Sequence, residues 1–390
     1  MKVICERAAL LDAVNLVSGV VNHRSPRPQL ACVKIDASPD GELTLSGTDA
    51  EISIRLSLAR VEIAEPGQAL VPADKLRQIV SAEDNEPTLT IETDGDDLVH
   101  IRGEDAHFRL HAYAPNDFPP IPEFDAIVQG AGGRAPAKTV FEHNAHQLAE
   151  AVQRTIFATA RENSRYAING VLLRREGKKL EFVATDGRRL ALCRSTLAQG
   201  DKNAEAVSCI IPSKALTLLL KLIDDPEANV AIAIADNQAV FHLGGEGDQP
   251  GATLLSNLVE GAFPPYEDVI PKDQDIRVSF DRDVLASAVR RAALLTNEES
   301  RGVQMAFTAE DKRLELTSRA PEMGEAQVRV ELMDYEGTDI KIGFNPAYLT
   351  DALKVIADPK VVLELKASNK PGLVRSGNDF MYVVMPVNLQ

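Results

Sequence analysis

Residues 182–192 read FVATDGRRLAL and place an aspartate and two adjacent arginines at a break in an apolar strand. An Asp-Gly pair is typical of a tight turn, because glycine reaches positive φ at no steric cost. Asp186 in this stretch, together with Asp49 in the similar stretch 45–55, could form a carboxylate pair for acid–base catalysis. Such a pair must reach one substrate, whereas these aspartates lie at equivalent points of separate repeats. An enzyme is therefore the weaker alternative, and a plain hairpin turn with two solvated arginines also stays open.

Other residues offer little for metal or nucleophilic chemistry. The sequence contains no HExxH, GxSxG, P-loop or GxGxxG motif. His143 and His146 are three positions apart without a third ligand, which favours a solvated helix start. The cysteines have no CxxC spacing, so we expect small buried apolar residues at Cys5, Cys32, Cys193 and Cys209. We therefore expect no catalytic residue, no metal and no cofactor.

The size and composition indicate a soluble protein of several domains. At about 100–200 residues per domain, 390 residues predict two to four domains. No apolar run approaches the roughly 18 residues that a membrane span needs, and the start MKVICERAAL lacks a secretory signal, so we expect a cytoplasmic protein with no membrane partner. The net charge of −16 argues against a nucleic-acid partner unless the charges are unevenly distributed.

One structural unit recurs three times along the chain. A strand followed by an amphipathic helix is predicted in residues 5–14, 146–156 and 280–289. A second strand that ends at a proline or polar helix start is predicted in residues 70–80, 210–220 and 343–353. Copies of about 130 residues predict three domains, at residues 1–126, 139–271 and 272–390, with an exposed linker in 127–139.

Each copy combines two helices with about eight short strands that alternate apolar and polar residues. Alternating strands of this kind pack one face on a core and leave the other face in water. Helices on one side of antiparallel sheets give an α+β architecture. The linker and the FPP sequences at 118–120 and 263–265 mark where one copy passes to the next.

Positive charge is concentrated in the predicted helices. Their windows together carry a net charge of +5, which leaves −21 for the rest of the chain, and they are residues 8–20, 73–82, 146–165, 213–222, 282–297 and 346–357. If the three copies curve, the helices would form a basic inner surface that holds phosphates without reading sequence. The alternative, ordinary solvated helix faces, stays open.

Several motifs in this order resemble the bacterial DNA polymerase III beta subunits, the sliding-clamp family. The motifs are SRYAINGVLL (164–173), ATDGRRLA (184–191), FPPYEDVIP (263–271), TNEESRGV (296–303) and YVVMPVNL (382–389). The resemblance covers essentially the whole chain. It implies three tandem DNA-clamp domains and a head-to-tail homodimer that closes into a six-domain ring around double-stranded DNA, without sequence specificity.

The same resemblance implies a groove between the second and third copies that captures short peptides. The partners would be the replicative DNA polymerase, the clamp loader and other proteins with a clamp-binding motif. In the second copy the matching positions are Ile168, Thr185, Gly187, Arg188, Arg189, Leu190, Pro264 and Val269. In the third copy they are Asn345, Tyr348, Val383, Met385, Pro386, Val387 and Leu389. We expect the stems of the two arginines to line the groove wall with their charged heads in water.

The resemblance also implies positions for DNA contact and for the subunit interface. DNA contacts carry over to Arg24, Tyr166 and Lys214, and the helix charges add Arg154, Arg161, Lys221, Arg290 and Arg291. The interface carries over to Phe108, Leu110, Leu294 and Leu295, although each could equally be a core residue.

The groove rim departs from the usual pattern of the family. Asp268 stands where many relatives have arginine, Ala167 replaces a common tyrosine, Arg188 replaces a frequent histidine, and Gln390 extends the usual end. We therefore expect the partner preference to differ from that of these relatives. A monomeric scaffold that binds peptides without DNA is the remaining alternative.

Overall fold

The computed structural model describes residues 1–95, 97–160, 166–244, 251–296 and 302–388. The chain forms two compact units. Unit 1 comprises Met1–Ala149, Leu197–Gly200 and Lys214–Leu258, and unit 2 comprises Glu150–Thr196, Asp201–Ser213 and Val259–Gln390. The middle third of the chain therefore contributes to both units.

The first third of the chain begins with a strand and a helix, as the sequence predicts. Its elements are β1 (Lys2–Glu6), α1 (Arg7–Ser18), β2 (Cys32–Ala37), β3 (Leu43–Thr48), β4 (Ile52–Leu58), β5 (Val61–Glu65), β6 (Gly67–Pro72), α2 (Ala73–Ala82), β7 (Thr88–Asp94), β8 (Leu98–Arg102), β9 (His107–His111) and the short helix α3 (Phe124–Gln129).

The middle third has the same order of elements without a counterpart of β5. Its elements are β10 (Thr139–Asn144), α4 (Ala145–Ile156), β11 (Gly170–Glu176), β12 (Lys179–Thr185), β13 (Arg189–Thr196), β14 (Val207–Pro212), α5 (Ser213–Leu222), β15 (Asn229–Ile234), β16 (Gln238–Leu243) and β17 (Ala252–Asn257).

The last third has the full order again. Its elements are β18 (Ile276–Asp281), α6 (Arg282–Ala292), β19 (Val303–Thr308), β20 (Arg313–Ala320), β21 (Gly324–Glu331), β22 (Asp334–Glu336), β23 (Ile340–Phe344), α7 (Pro346–Val355), β24 (Lys360–Leu365), β25 (Gly372–Ser376) and β26 (Phe380–Val384). The predicted α+β repeat is confirmed.

Each third contributes two four-stranded antiparallel ladders. The ladders are β1-β7-β8-β9 and β4-β3-β2-β6 in the first third, β10-β15-β16-β17 and β13-β12-β11-β14 in the middle, and β18-β24-β25-β26 and β21-β20-β19-β23 in the last. Strands β5 and β22 extend the ladders at β1 and β18.

Two joints fuse ladders from neighbouring thirds into larger sheets. In unit 1, β4 pairs with β17 over five residues, from Ile52–Ser256 to Leu56–Ala252. In unit 2, β13 pairs with β26 over five residues, from Arg189–Val384 to Cys193–Phe380. The strands equivalent to these, β9 and β21, end their sheets without a partner in the described part of the chain.

The helices form where apolar residues recur at helical spacing. In α1 the buried residues Leu10, Ala13, Val14 and Val17 follow the i, i+3, i+4, i+7 pattern of a single apolar face. The side chain of Asp281 accepts the backbone N–H groups of Asp283 and Val284 and so caps α6, while Asn345 caps α7.

Two helices end well before the bounds predicted from the sequence, and one additional helix forms. Helix α4 ends at Ile156 instead of 165, and α6 ends at Ala292, followed by a 3-10 turn, instead of 297. Helix α3 forms where the sequence predicts the start of an exposed linker. Ile127 of α3 is buried in an apolar cluster of unit 1 with Ala233, Val240 and Leu255. Within the described residues, no helix is long and apolar enough to cross a membrane.

Candidate functional site

A tight turn joins β12 to β13 and is held by its own side chains. Thr185 Oγ1 donates to the carbonyl of Arg189 at 2.7 Å and accepts the N–H of Gly187 at 3.1 Å. Asp186 Oδ1 accepts the N–H groups of Arg188 at 2.9 Å and Arg189 at 3.1 Å. Gly187 has a φ of +84°, which glycine adopts without strain.

The same turn recurs between β3 and β4. Thr48 Oγ1 donates to the carbonyl of Ile52 at 2.9 Å, and Asp49 Oδ1 accepts the N–H groups of Glu51 at 3.0 Å and Ile52 at 2.7 Å. Ala50 takes the left-handed position with a φ of +76°. Both aspartates are therefore turn residues whose Oδ1 atoms accept backbone N–H groups, and this role accounts for their recurrence without acid–base catalysis.

The guanidinium of Arg189 is buried, which contradicts the expectation that its head lies in water. Only 10% of its side chain is exposed. Nε donates to Asp186 Oδ2 at 3.0 Å, Nη1 to Asp351 Oδ2 at 2.8 Å and Nη2 to the carbonyl of Phe157 at 2.7 Å. The guanidinium carbon also lies 4.5 Å from the ring centroid of Tyr348. Arg189 therefore connects the turn to the residue that follows α4 and to α7, and it is not a free cation on the groove wall.

The charged form of Arg189 is favoured despite its burial. Burial by itself opposes the charge, but the hydrogen bond that Arg189 donates to Asp351 and the negative charge of Asp186 outweigh it, so the pKa of Arg189 is raised. By contrast, Arg188 is exposed, as expected.

An apolar floor lies beside this turn in unit 2. We call it the groove floor, and its buried residues are Ala167, Leu172, Val183, Leu190, Leu192, Ile210, Tyr266, Leu373, Met381 and Val383. Leu190 of β13 lies opposite Val383 of β26, so the floor is built across the joint between the two strands. Val269 is 45% exposed and Met385 is 38% exposed, which is high for residues of their type.

The remaining expected groove residues have identifiable positions. Ile168 is buried, Pro264 is half-buried, and Asn345 Oδ1 accepts the N–H of Ala347 at 2.9 Å as the cap of α7. Met385 and Val387 donate their N–H groups to the carbonyls of Arg188 and Gly343, both at 2.9 Å, and thus fix the chain after β26 together with Pro386 between them. Leu389 and Gln390 lie outside the described residues.

Two of the three altered rim positions are exposed. Arg188 follows Gly187 in the turn, and Asp268 precedes Val269 in a short 3-10 turn that starts at Tyr266. Ala167 is buried and belongs to the groove floor. The rim therefore presents one positive and one negative side chain near the exposed apolar residues.

The residues expected to contact DNA differ in exposure: most are exposed, one is half-exposed and ion-paired, and one is buried. In unit 1, Arg24 and Lys221 are exposed, whereas Lys214 donates to Asp49 Oδ2 at 2.6 Å and remains half-exposed. In unit 2, Tyr166, Arg290 and Arg291 are exposed. Arg161 lies outside the described residues.

Arg154 is a structural residue, and the expectation that it contacts DNA is wrong. It is 6% exposed and forms ion pairs with Glu150 at 2.7 Å and Asp379 at 2.8 Å. Burial opposes its charge, but Glu150 and Asp379 more than compensate, so its pKa is raised. The two carboxylates neutralise the charge of this guanidinium, and its burial keeps it away from phosphate.

The expected interface residues lie at the two unmatched sheet edges. Phe108 and Leu110 are half-exposed on β9. Leu294 is 72% exposed. Leu295 lies beside Gly324 at the start of β21, in van der Waals range of the side-chain position there. The alternative that these are core residues does not fit Leu294.

The cysteines behave as expected and one histidine does not. All four cysteines are buried and outside any disulfide, and burial raises the pKa of the Cys5 and Cys32 thiols to about 12. His143 lies in β10 and is buried, so burial lowers its pKa, and the expected solvated position is wrong. His146 is exposed at the start of α4.

Three residues that organise the site were not recognised in the sequence. Asp351 and Phe157 hold the guanidinium of Arg189, and Asp379 holds Arg154. Their partners lie up to 225 positions away in sequence, and a single acid in an amphipathic helix or hairpin carries no local signal of such a contact.

Family models match the chain in three consecutive segments. The N-terminal, central and C-terminal domains of the DNA polymerase III beta subunit match residues 1–122, 142–265 and 267–388. The beta sliding clamp of Pseudomonas putida is 35% identical over 386 residues, which are 98% of this chain and 99% of the relative. The beta sliding clamp of Escherichia coli K12 is 31% identical over 393 residues and covers both chains completely.

Solved structures give the same relationship. The DnaN sliding clamp of Pseudomonas aeruginosa, solved with griselimycin, has a TM-score of 0.89 at 33% identity, with complete coverage of both chains. The DNA polymerase sliding clamp of Bacillus subtilis has a TM-score of 0.89 at 26% identity, also with complete coverage.

Proposed function

The chain belongs to the DNA polymerase III beta subunit family, and we propose that it acts as a sliding clamp whose two copies close around double-stranded DNA. It is a processivity factor of DNA replication and not a catalyst. The observation that carries the ring is the pair of unmatched strands, β9 and β21. We retain three clamp domains, residues 1–126, 139–271 and 272–390, as part of the proposal.

The internal joints predict how the two unmatched edges meet. Strands β6, β14 and β23 are equivalent, since each leads into the second long helix of its third. A residue after the last strand of each third donates its N–H to a carbonyl of this strand: Tyr113 to Leu70, Val259 to Ile210 and Val387 to Gly343. Counting back six positions from each donor gives the equivalent residues His107, Thr253 and Met381. At the two joints, Thr253 pairs with Arg55 and Met381 pairs with Leu192.

The corresponding residue of β21 follows from its own ladder. Three successive cross-strand pairs lead from the acceptor Leu70 to Arg55, and three lead from Ile210 to Leu192. In the last third, the same three steps lead from Gly343 through Gln304 and Thr317 to Gln327. An equivalent third joint therefore places His107 opposite Gln327 of a second copy. In that antiparallel register, Phe108 lies opposite Ala326 and Arg109 opposite Glu325.

This joint supports a head-to-tail homodimer. Strand β9 of one copy meets β21 of the other, and two such joints close a ring of six domains. The half-exposed Phe108 and Leu110 on β9, and Leu294 and Leu295 beside β21, bury apolar surface there.

Sliding requires weak contacts with phosphate. The proposed DNA-contact residues are Arg24, Tyr166, Lys214, Lys221, Arg290 and Arg291. Arg161 is also proposed, on the sequence alone. A few cations on the helices hold the backbone without fixing a register, and encirclement keeps the protein on the duplex.

The groove floor and its rim form the proposed site for partner peptides. A peptide that buries two large apolar side chains against Val269, Met385 and the floor would gain roughly 1.5–3 kcal/mol from each. Together with backbone hydrogen bonds, this gives a dissociation constant on the order of micromolar, which permits exchange between polymerase, clamp loader and other partners.

The experiment that tests the proposal combines oligomeric state with DNA retention. We expect a dimer in sedimentation at micromolar concentration and, after loading onto nicked circular DNA, retention that is lost when the DNA is linearised. Linear ends release a ring but not a protein that is bound to phosphates. A monomer that binds polymerase peptides and is not retained would support the peptide scaffold instead.

A further inference from the structure

One face of the large sheet in unit 1 has the same layout as the groove floor of unit 2. Leu255 of β17 lies opposite Ser53 of β4 and beside Val240 of β16. In unit 2, the groove-floor residues Val383 and Leu373 have the same arrangement beside β13. The joint between β4 and β17 therefore contains a counterpart of the groove floor. We call it the first-joint floor, and its residues are Ala233, Val240 and Leu255.

One backbone hydrogen bond marks the same position at both joints. Asn257, at the end of β17, donates its N–H to the carbonyl of Glu51 at 2.8 Å. Met385, which follows β26, donates its N–H to the carbonyl of Arg188 at 2.9 Å. Glu51 and Arg188 are each the fourth residue of their Thr-Asp turn. The registers of the two joints therefore agree.

The first-joint floor is covered by a segment of the chain itself. Ile127 of α3 is 2% exposed and belongs to the same apolar cluster as the first-joint floor. Ile121, Phe124 and Val128 pack against this cluster, and the rings of Phe124 and His242 stack with their centroids 5.4 Å apart. Apolar side chains of α3 thus occupy the face whose counterpart in unit 2 is proposed to bind peptides.

A charged contact beside the first-joint floor distinguishes it from the groove floor. Arg55 lies opposite Thr253, at the positions that Leu192 and Met381 take in unit 2. Nη1 of Arg55 donates to Oε1 of Glu123, just before α3, at 2.8 Å. The site in unit 1 therefore suits a segment in which an acidic residue precedes the apolar ones.

The covering segment is built as a separable unit. Prolines precede it at 119, 120 and 122, and glycines follow at 130, 132 and 133. Its backbone is bonded within residues 123–137, where the N–H groups of Ile127, Gly130, Ala131 and Ala137 donate to carbonyls of the same segment. The contacts with the sheet described above are made by side chains. A segment attached in this way opens locally more easily than the strands beneath it.

We propose that α3 is an internal occupant of a second peptide site, which takes a partner segment of the same chemistry when α3 is displaced. That chemistry is an acidic residue followed directly by an aromatic one, with an aliphatic residue three positions further on. The comparison with the groove rests on the proposed function, whereas the site itself consists of contacts within unit 1. Because α3 is tethered to its site, a partner segment must overcome its high effective concentration.

The test uses fluorescence anisotropy with the full-length protein and a fluorescein-labelled peptide of residues 118–130. Phe124→Ser with Ile127→Ser removes the side chains that hold α3 in place, so we expect the peptide to bind this double variant at least tenfold more tightly than wild type. Asp125→Ser with Gln129→Ser is the matched control, because it changes two exposed residues of the same helix. We expect it to behave as wild type.

A change in the peptide locates the site at Arg55. In the double variant, a peptide with Glu123→Gln should bind about two- to fivefold more weakly, and this difference should vanish when Arg55→Ala is added. Equal binding of the original peptide to wild type and double variant would overturn the second site, and so would a difference that persists in Arg55→Ala. A polymerase-derived peptide that does not bind wild type would instead overturn the groove of unit 2 alone.

Hydrogen exchange of the wild-type protein tests the same inference without a substitution in α3. We expect the N–H groups of Ile127, Gly130 and Ala131 to exchange at least tenfold faster than those of β16 and β17, which lie in the interior of the sheet. Equal rates would mean that α3 leaves its site only when unit 1 unfolds. That result would overturn the displaceable occupant even if the double variant did not fold.

Discussion

Arg189 and Asp351 are 162 positions apart in sequence, and Nη1 of Arg189 donates a hydrogen bond of 2.8 Å to Oδ2 of Asp351. The bond links the turn after β12 to helix α7, and it lies beside the proposed groove. An ion pair between the second and third copies of the repeat, in which Arg189 is 10% and Asp351 33% exposed, therefore fixes this turn beside the proposed groove.

The first prediction concerns this ion pair. Asp351→Ala leaves a guanidinium that is 10% exposed without one of its carboxylates, so we expect the free energy of unfolding to fall by about 1–3 kcal/mol. Urea denaturation measures this change. Lys354→Ala is the control, because Lys354 is 69% exposed and lies 3.8 Å from the same carboxylate. Equal losses in both variants would contradict a structural role of the buried pair.

The two copies of the Thr-Asp turn give a reciprocal prediction. Gly187 and Ala50 both have positive φ, and a Cβ at Gly187 would meet no atom within 4 Å. Backbone strain alone should therefore decide the result. We expect Gly187→Ala to lower the stability by about 1 kcal/mol and Ala50→Gly to raise it by a similar amount. Changes of the same sign in thermal denaturation would refute this explanation.

Peptide binding should depend on the exposed methionine of the groove. Met385 is 38% exposed, and Met385→Ala removes most of the apolar surface that it offers to a peptide. We therefore expect the affinity for a polymerase-derived peptide, measured by fluorescence anisotropy, to fall at least tenfold. Deletion of 386–390 should have a similar effect while the dimer persists. Met333→Ala, at another exposed methionine of unit 2, should bind normally. Unchanged affinity in Met385→Ala would remove this groove from the proposed function.

The apolar edge next to β21 should control assembly. Replacement of Leu294 and Leu295 by aspartate places charges in a surface that the second copy would cover, so we expect monomers in sedimentation. Because Leu294 is 72% exposed, the fold should tolerate its replacement. Val284→Asp, at a 47% exposed residue of α6, should leave the dimer intact. Dimers that persist in the double variant would refute the interface.

The exposed arginines Arg290 and Arg291 should contribute to the salt dependence of the affinity for duplex DNA. For Arg290→Ala with Arg291→Ala, we expect weaker binding to duplex DNA and a decrease of roughly two in the slope of log K against log salt concentration. Arg154→Ala should leave this slope unchanged and lower the stability, because Arg154 is already paired with Glu150 and Asp379. A lower slope in Arg154→Ala would restore Arg154 to the DNA surface.

Local patterns predicted the repeated elements well, because each depends on residues close in sequence. The apolar spacing of Leu10 and Val14 and the helix start at residues 70–80 are of this kind. The Thr-Asp pairs of residues 48–49 and 185–186 correspond to equivalent turns. The end of α4 at Ile156 was missed because the charged residues that follow are equally compatible with a helix.

Contacts between distant segments could not be predicted in this way. Arg154, Arg188 and Arg189 are the same residue type in polar surroundings, yet Arg154 is buried, the Arg189 side chain is only 10% exposed, and Arg188 is exposed. What distinguishes them is the presence of Asp379 or Asp351, and these acids meet the arginines only through tertiary packing. The family resemblance identifies positions that line the groove, and Asp351 and Asp379 support those positions from outside it.

The unmatched strands have a practical consequence for the isolated chain. An unassociated copy exposes rows of unpaired backbone N–H and C=O groups on β9 and β21, and such rows accept any available strand. Dilution, which favours dissociation, therefore increases the fraction of chains at risk of aggregation and of adsorption to surfaces. Losses of material during handling at low concentration should accordingly be reduced by a covalent cross-link between the two edges, even though such a cross-link leaves every other surface unchanged.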